Sequence, residues 1–441
     1  MSRENIRKLI GVILALLLFA ISLTPPMRQV LSLPKSTRLV VGEQMMVSLS
    51  LPTPVLDKLW VSVGDPLSSA PQAVVVNRED DGYQLKALKP GQVDVTVKLW
   101  GFIPLKSIRV ESLPPYQLLA GGHSIGIMLQ SQGIMVVGFA PITGSQGQKT
   151  FPAREAGIEV GDLIMEVGGQ PVHTELELAN LIDEQGQKGL KPRLLIRRGD
   201  QQQNLTIDTG YCAETGRYRV GLYVRDGVAG VGTLTAWDPK TYRFAALGHV
   251  IVDSDTRQVV KIREGRIVSA SVQAIQPGRP GQPGEKIGVF DREGMVSGRI
   301  EENTYYGVFG VTDRKLENNL LPDYLPVAYA HQVRKGPAQI LTVINDGQIE
   351  AFDIMIEKVY PFRQNGKGMV LKVIDERLLS VSGGIVQGMS GSPIIQDGRI
   401  AGAVTHVFLN DPEKGYGIFM DTLLEEMNLR DGQVFSRQIA R

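Results

Sequence analysis

Three cations, Arg3, Arg7 and Lys8, precede an almost purely apolar run from Leu9 to Leu23, which Pro25 and Pro26 stop. Its fifteen residues fall short of the roughly twenty that cross a bilayer comfortably. A charged start and a short apolar core predict an export signal or marginal anchor over 1–30, with Ala20 and Ser22 at the spacing a signal peptidase reads. From Ser36 to Leu113 the pattern turns to period two, as in 38–41, 45–49 and 93–97, with Gly and Pro turns between. That predicts a small β-sandwich-like module over 36–113. Between 114 and 208, Thr174 and Glu177 form a capping box, and Leu178, Leu181 and Ile182 supply the apolar face of the helix that follows. Beyond Gly210, strand-like runs recur at 219–224, 340–344 and 400–405. The stretch 276–284 has Pro or Gly at six of its nine positions and must be a loop, because proline lacks the donor that helix and central strand require.

Composition narrows the classes. A chain of 441 residues suggests about three domains. Apolar residues at 43% suffice for several cores, while a net charge of +1 gives no broad cationic face for nucleic acid. The single cysteine, Cys212, excludes an internal disulfide and a cysteine zinc cluster, and five scattered histidines speak against a zinc enzyme. No metal and no organic cofactor is expected. The last 220 residues or so, short strands with few helical stretches, suit a closed or double β-barrel over 210–435.

Two stretches of 114–208 resemble a PDZ domain. Ser124, Ile125, Gly126 and Ile127 stand where that module has its carboxylate-binding loop, and 153–164 followed by 167–172 carries its second signature. Such a loop holds a terminal carboxylate on successive N–H groups while an extended peptide adds a strand beside it, so a peptide ligand in cis or in trans is expected. Farther on, Gly388-Met389-Ser390-Gly391-Ser392-Pro393 resembles the nucleophile loop of trypsin-like serine proteases, with Ser392 in place of a glycine. Glycines on both sides of Ser390 permit a tight turn that aims the N–H groups of Gly388 and Ser390 at one point, an oxyanion hole. A serine needs a base, and His249, delivered by the apolar segment 244–247, has the best setting of the five histidines. His406, after the serine loop, reads as a core or edge histidine. A carboxylate to orient His249 could be Asp253, Asp255, Asp291, Asp313, Asp353 or Asp375. Asp375, ending an apolar strand fifteen residues before Ser390, is the first choice among them.

The segments 228–235, 246–251 and 388–393, in that order behind a PDZ-like region and an export segment, resemble the stage IV B sporulation peptidase family of endospore-forming bacteria. The resemblance places the triad on His249, Asp375 and Ser390. It implies a mainly β chain: signal or anchor helix, β-sandwich-like module, PDZ domain over 114–208 and a trypsin-like double-barrel serine peptidase domain over 210–435. It further implies export from the forespore into the space between its two membranes. The expected substrates are the enzyme's own N-terminal region and a membrane-bound regulator of the intramembrane protease that matures a late mother-cell sigma factor. A PDZ scaffold with a degenerate protease-like domain is the competing reading. Digestive serine proteases have an aspartate before the nucleophile to receive a new N-terminus; Met389 stands there and cannot form that ion pair.

Overall fold

The computed structural model describes residues 24–48, 56–64, 72–79 and 82–429, except 346, 362 and 364. The apolar run 9–23 lies outside the described residues, and no described helix is long and apolar enough to cross a membrane. The chain divides into two compact units, 1–116 and 117–441.

The first unit is a sandwich. One sheet takes Ser36–Val40, Ile103–Leu113, Gly91–Leu99 and Leu59–Val63; the other takes Gln44–Ser48, Gly82–Ala87 and Val74–Glu79. Alternating side chains of both, Leu39, Val95, Ile108 and Val110 against Val74, Leu85 and Ala87, form its core. In the described strands the two-residue period, as at 38–40, 45–48 and 93–97, is therefore the inward face of two packed sheets.

The second unit begins its PDZ body with β1 (Ser124–Phe139), β2 (Leu163–Val167), α1 (Glu175–Gln187), β3 (Arg193–Arg198) and β4 (Gln201–Thr206), the sheet running β4-β3-β2-β1. The capping box forms as the sequence predicts: Thr174 Oγ1 accepts from Glu177 N–H, and the Glu177 carboxylate accepts from Thr174 N–H. Leu178 and Ile182 are buried against Ile134, Val136, Ile164 and Ile196, with Leu181 half-buried beside them. Arg198 closes the turn at 157–162, donating to both Asp162 oxygens and to Gly157 O.

Two six-stranded barrels follow. The first comprises β1, β5 (Leu222–Trp237), β6 (Arg243–Ala246), β7 (Ile262–Gln276), β9 (Ser297–Thr304) and β10 (Gly307–Thr312). Its strands pair in the order β1-β7-β9-β10-β6-β5 and return to β1; β8 (Glu285–Asp291) adds to β7 outside the ring. The second closes as β11 (Gly336–Val343), β12 (Ile349–Val359), β13 (Met369–Val373), β16 (Asp411–Phe419), β15 (Arg399–Phe408) and β14 (Pro393–Gln396). Each has its own apolar filling: Ile125, Ile127, Leu234, Trp237 and Phe244 in the first, Ile340, Phe352, Ile354, Leu371 and Ile394 in the second.

One expectation is corrected. Ser124, Ile125, Gly126 and Ile127 are not a carboxylate-binding loop: they are the start of β1, paired with Gly230–Thr233 of β5 on one side and with Ile267–Ser269 of β7 on the other. Their backbone is committed to ladders on both edges. The PDZ body takes only the far half of β1, from Ile134, and reaches past 208 to Val220 and Val224.

Candidate active site

The segment Gly388–Gly391 leads into β14 of the second barrel, yet it is fastened to the first. Thr233 and Thr235, fully buried on one face of β5, donate their hydroxyls to Gly388 O (2.7 Å) and Gly391 O (2.8 Å). Thr233 N–H donates to Ser390 O at 3.0 Å. Gly391 has φ +94°, and a Cβ there would overlap Thr233 O and Leu247 N. Only glycine lets the serine loop and the chain that leads to His249 come this close.

His249 is delivered by a turn past β6 in which Leu247 and Gly248 both hold left-handed φ, 69° and 71°. A left-handed leucine is strained by about 1–2 kcal/mol, and such outliers cluster at functional sites. Its buried side chain, packed over Gly232, keeps it there. The imidazole of His249 is half-buried, with Nδ1 2.9 Å from Val250 O. With Nδ1 as donor, Nε2 is left with its lone pair, the tautomer of a general base. Desolvation lowers the pKa of His249 below the ordinary histidine value, partly offset by the Val250 bond, so the ring is neutral at pH 7.

Ser390 and the turn that carries His249 both lie against Thr405 of β15. Ser390 Oγ donates to Thr405 O at 2.8 Å, the Thr405 side chain packs on Gly248, and the next residue, His406, holds its ring 5.2 Å from that of His249. Although His406 keeps an exposed surface, desolvation and then the neighbouring His249 and Lys367 charges push its pKa down to about 4. In this conformation the serine hydroxyl is bound to a carbonyl rather than to the imidazole.

The oxyanion donors sequence points to are open. The N–H groups of Met389, Gly391 and Ser392 donate to Val386, Val404 and Met389 carbonyls, whereas among the described residues no protein acceptor takes Gly388 N–H or Ser390 N–H. Met389 itself is buried in the second barrel's core. Ser392 is fully buried with its hydroxyl unpartnered.

Asp375 does not join them. Its side chain caps α2 (Glu376–Ser382), with Oδ1 accepting from Arg377 N–H (3.0 Å) and Leu378 N–H (3.1 Å) and Oδ2 from Asp353 N–H (3.4 Å). A carboxylate at a strand end is equally the N-cap of the helix that follows, and that is the bonding found here. The other carboxylates are also engaged elsewhere: Asp253 and Asp255 with Arg225, Asp313 with Arg266 and Ser297, Asp353 with Gln339, Asp291 with Glu293 N–H. Among the described hydrogen bonds none joins a carboxylate to His249.

The sequence signals for Thr233, Thr235 and Thr405 went unused, and His406 reads there only as a core or edge histidine. The two threonines carried a signal, since i and i+2 polar positions in an apolar strand share a face. In the PDZ body a cavity of about 360 Å³ lies between α1 and the stretch 217–224, lined by Leu178, Ile182, Val220 and Leu222. The helix walls a groove, as expected, but the facing wall is the entry to β5.

Residues 216–424 match the family model of the SpoIVB peptidase S55, and residues 145–198 that of a PDZ domain. A putative zinc metalloprotease of Treponema pallidum (strain Nichols) is 32% identical over 84 residues, 19% of this chain and 18% of that protein. The match thus spans under a fifth of that relative. Among solved structures, the active form of the Rv3671c protease from M. tuberculosis is 14% identical with a TM-score of 0.26, covering 47% of this chain and 78% of that one. Deg5 is 13% identical with a TM-score of 0.28, covering 45% and 84%. At those scores the double barrel rests on the strand pairing above, not on these neighbours.

Proposed function

The chain belongs to the SpoIVB peptidase S55 family of serine peptidases, with a PDZ domain in the same body, and from that premise we propose that it is a serine endopeptidase working through Ser390 and His249. The observation that carries this is the clamp of the serine loop by Thr233 and Thr235 onto the strand beside the His249 turn. Ser390 Oγ turns from Thr405 O to His249 Nε2, which takes its proton as Oγ attacks a peptide carbonyl. The imidazolium then returns the proton to the leaving amine. Gly388 N–H and Ser390 N–H stabilise the oxyanion. Val250 O holds Nδ1–H in the conformation described; a role for Asp375 at the imidazole would require it to leave its helix cap.

The biological setting is proposed on family membership and on the export pattern of residues 1–30: export from the forespore, self-cleavage near the N-terminus, and cleavage of a membrane-bound regulator in sporulation signalling. A peptide ligand, internal or in trans, fits the PDZ groove beside α1. A non-catalytic PDZ scaffold is the second reading, favoured by the bond from Ser390 Oγ to Thr405 O. Incubating the full chain and its Ser390→Ala variant separates them. The enzyme reading expects N-terminal self-cleavage by the native chain and none by the variant; equal cleavage by both overturns it.

A further inference from the structure

A buried lysine lies beneath the serine loop, and the proposed chemistry does not use it. Lys286, the second residue of β8, is 1% exposed. Its Nζ donates to Thr342 Oγ1 of β11 at 2.7 Å, and Thr342 is itself fully buried. Its backbone N–H donates to Gln387 O (2.9 Å), while Gln387 N–H donates to Gly284 O (2.8 Å). The start of β8 is thereby joined to the residue before Gly388 as a short parallel bridge. The Pro- and Gly-rich loop ahead of it is held down in turn, Gly278 N–H donating to Ser382 O and Gly281 N–H to Leu409 O.

The side chain of Lys286 then runs directly under Gly388. A Cβ on Gly388, whose φ is +92°, would stand 3.0 Å from Lys286 Cβ, 3.2 Å from Cδ and 3.3 Å from Cγ. Burial lowers the pKa of the amine to about 7, so a lysine here weakens folding where a methionine would fill the same space without a charge to desolvate. Met389, buried in the barrel core, offers no charge by which the loop could be held from within.

We propose that Lys286 is a positioning residue for the oxyanion hole: anchored by its tip to Thr342 and by its backbone to Gln387, its side chain is the floor that fixes where Gly388 N–H points. This rests on the serine-peptidase reading above. A donor displaced by about an ångström costs on the order of 10²-fold in rate, and loss of one oxyanion donor 10²–10³-fold.

The test is saturation kinetics of fluorophosphonate labelling on the full chain, which separates the maximal rate kinact from the half-saturating concentration KI, with thermal melts as the folding control. Lys286→Met keeps the stem and removes the anchor; Thr342→Val removes the anchor's acceptor. Each is expected to lower kinact by about 10- to 100-fold with KI within about threefold, and the double variant to be no slower than the worse single. A kinact within twofold of the native chain in both, a loss confined to KI, or full multiplication of the two losses overturns the proposal. If Lys286→Met fails to fold, Thr342→Val decides by its kinact and KI. A native chain that is not labelled at all sinks the peptidase reading; a labelled native chain with unaffected variants sinks only this inference.

Discussion

Leu247 shows how the residue scale sets the site. Its left-handed φ, followed by that of Gly248, turns the chain so that His249 leaves the end of β6 beside the serine loop. Because desolvation lowers the pKa of His249 below the ordinary 6.5, labelling of Ser390 should be more than half-maximal at pH 7 and fall as acid protonates the ring. The half-point belongs below 6.5; a half-point above it in a labelling-rate profile would contradict the burial. Gly391→Ala should be far worse than a loop substitution usually is, because the new methyl meets the backbone of Thr233 and Leu247 rather than a mobile side chain. We expect a loss of about 2–4 kcal/mol in urea unfolding. Asp375→Ala should cost about 1 kcal/mol by uncapping α2, and Asp375→Asn almost nothing, since asparagine caps equally well. The turns that carry Ser390 and His249 were legible because glycines and an apolar lead-in mark them locally, while their catalytic roles are the proposal. Asp375 was not, because a strand-end carboxylate looks alike whether it faces an imidazole or the next helix.

At the scale of elements, β5 does two jobs that its sequence describes as one. Thr233 and Thr235 are polar residues two apart and so share one face of β5. That face is fully buried against the carbonyls of Gly388 and Gly391. Thr233→Val and Thr235→Val should each cost about 1–3 kcal/mol in urea unfolding by leaving a buried carbonyl without its donor. A change under 0.5 kcal/mol in both would mean that the clamp does not hold the loop. The capping box of α1 was legible to the residue, since it depends on a spacing of three. The start of β1 was not: an apolar, period-two stretch fits any sheet, and its neighbours β5 and β7 are about a hundred residues away or more.

At the scale of the molecule, the second unit threads two bodies on one pair of strands. The far half of β1 and the entry of β5 belong to the PDZ core, and the remainder of each closes the first barrel. Domain edges drawn at 208 and 210 therefore fall inside a continuous structure, which short-range pattern could not reveal. Limited proteolysis should release no folded PDZ fragment ending between 208 and 222; a stable one would contradict the shared strands. Catalysis as proposed requires Ser390 to reach His249 where the two barrels join. The most direct measurement is to treat the full chain with a fluorophosphonate and locate the adduct by peptide mass spectrometry. One adduct is expected, on Ser390, that His249→Ala abolishes. An adduct elsewhere, or one on Ser390 that persists undiminished without His249, would contradict it.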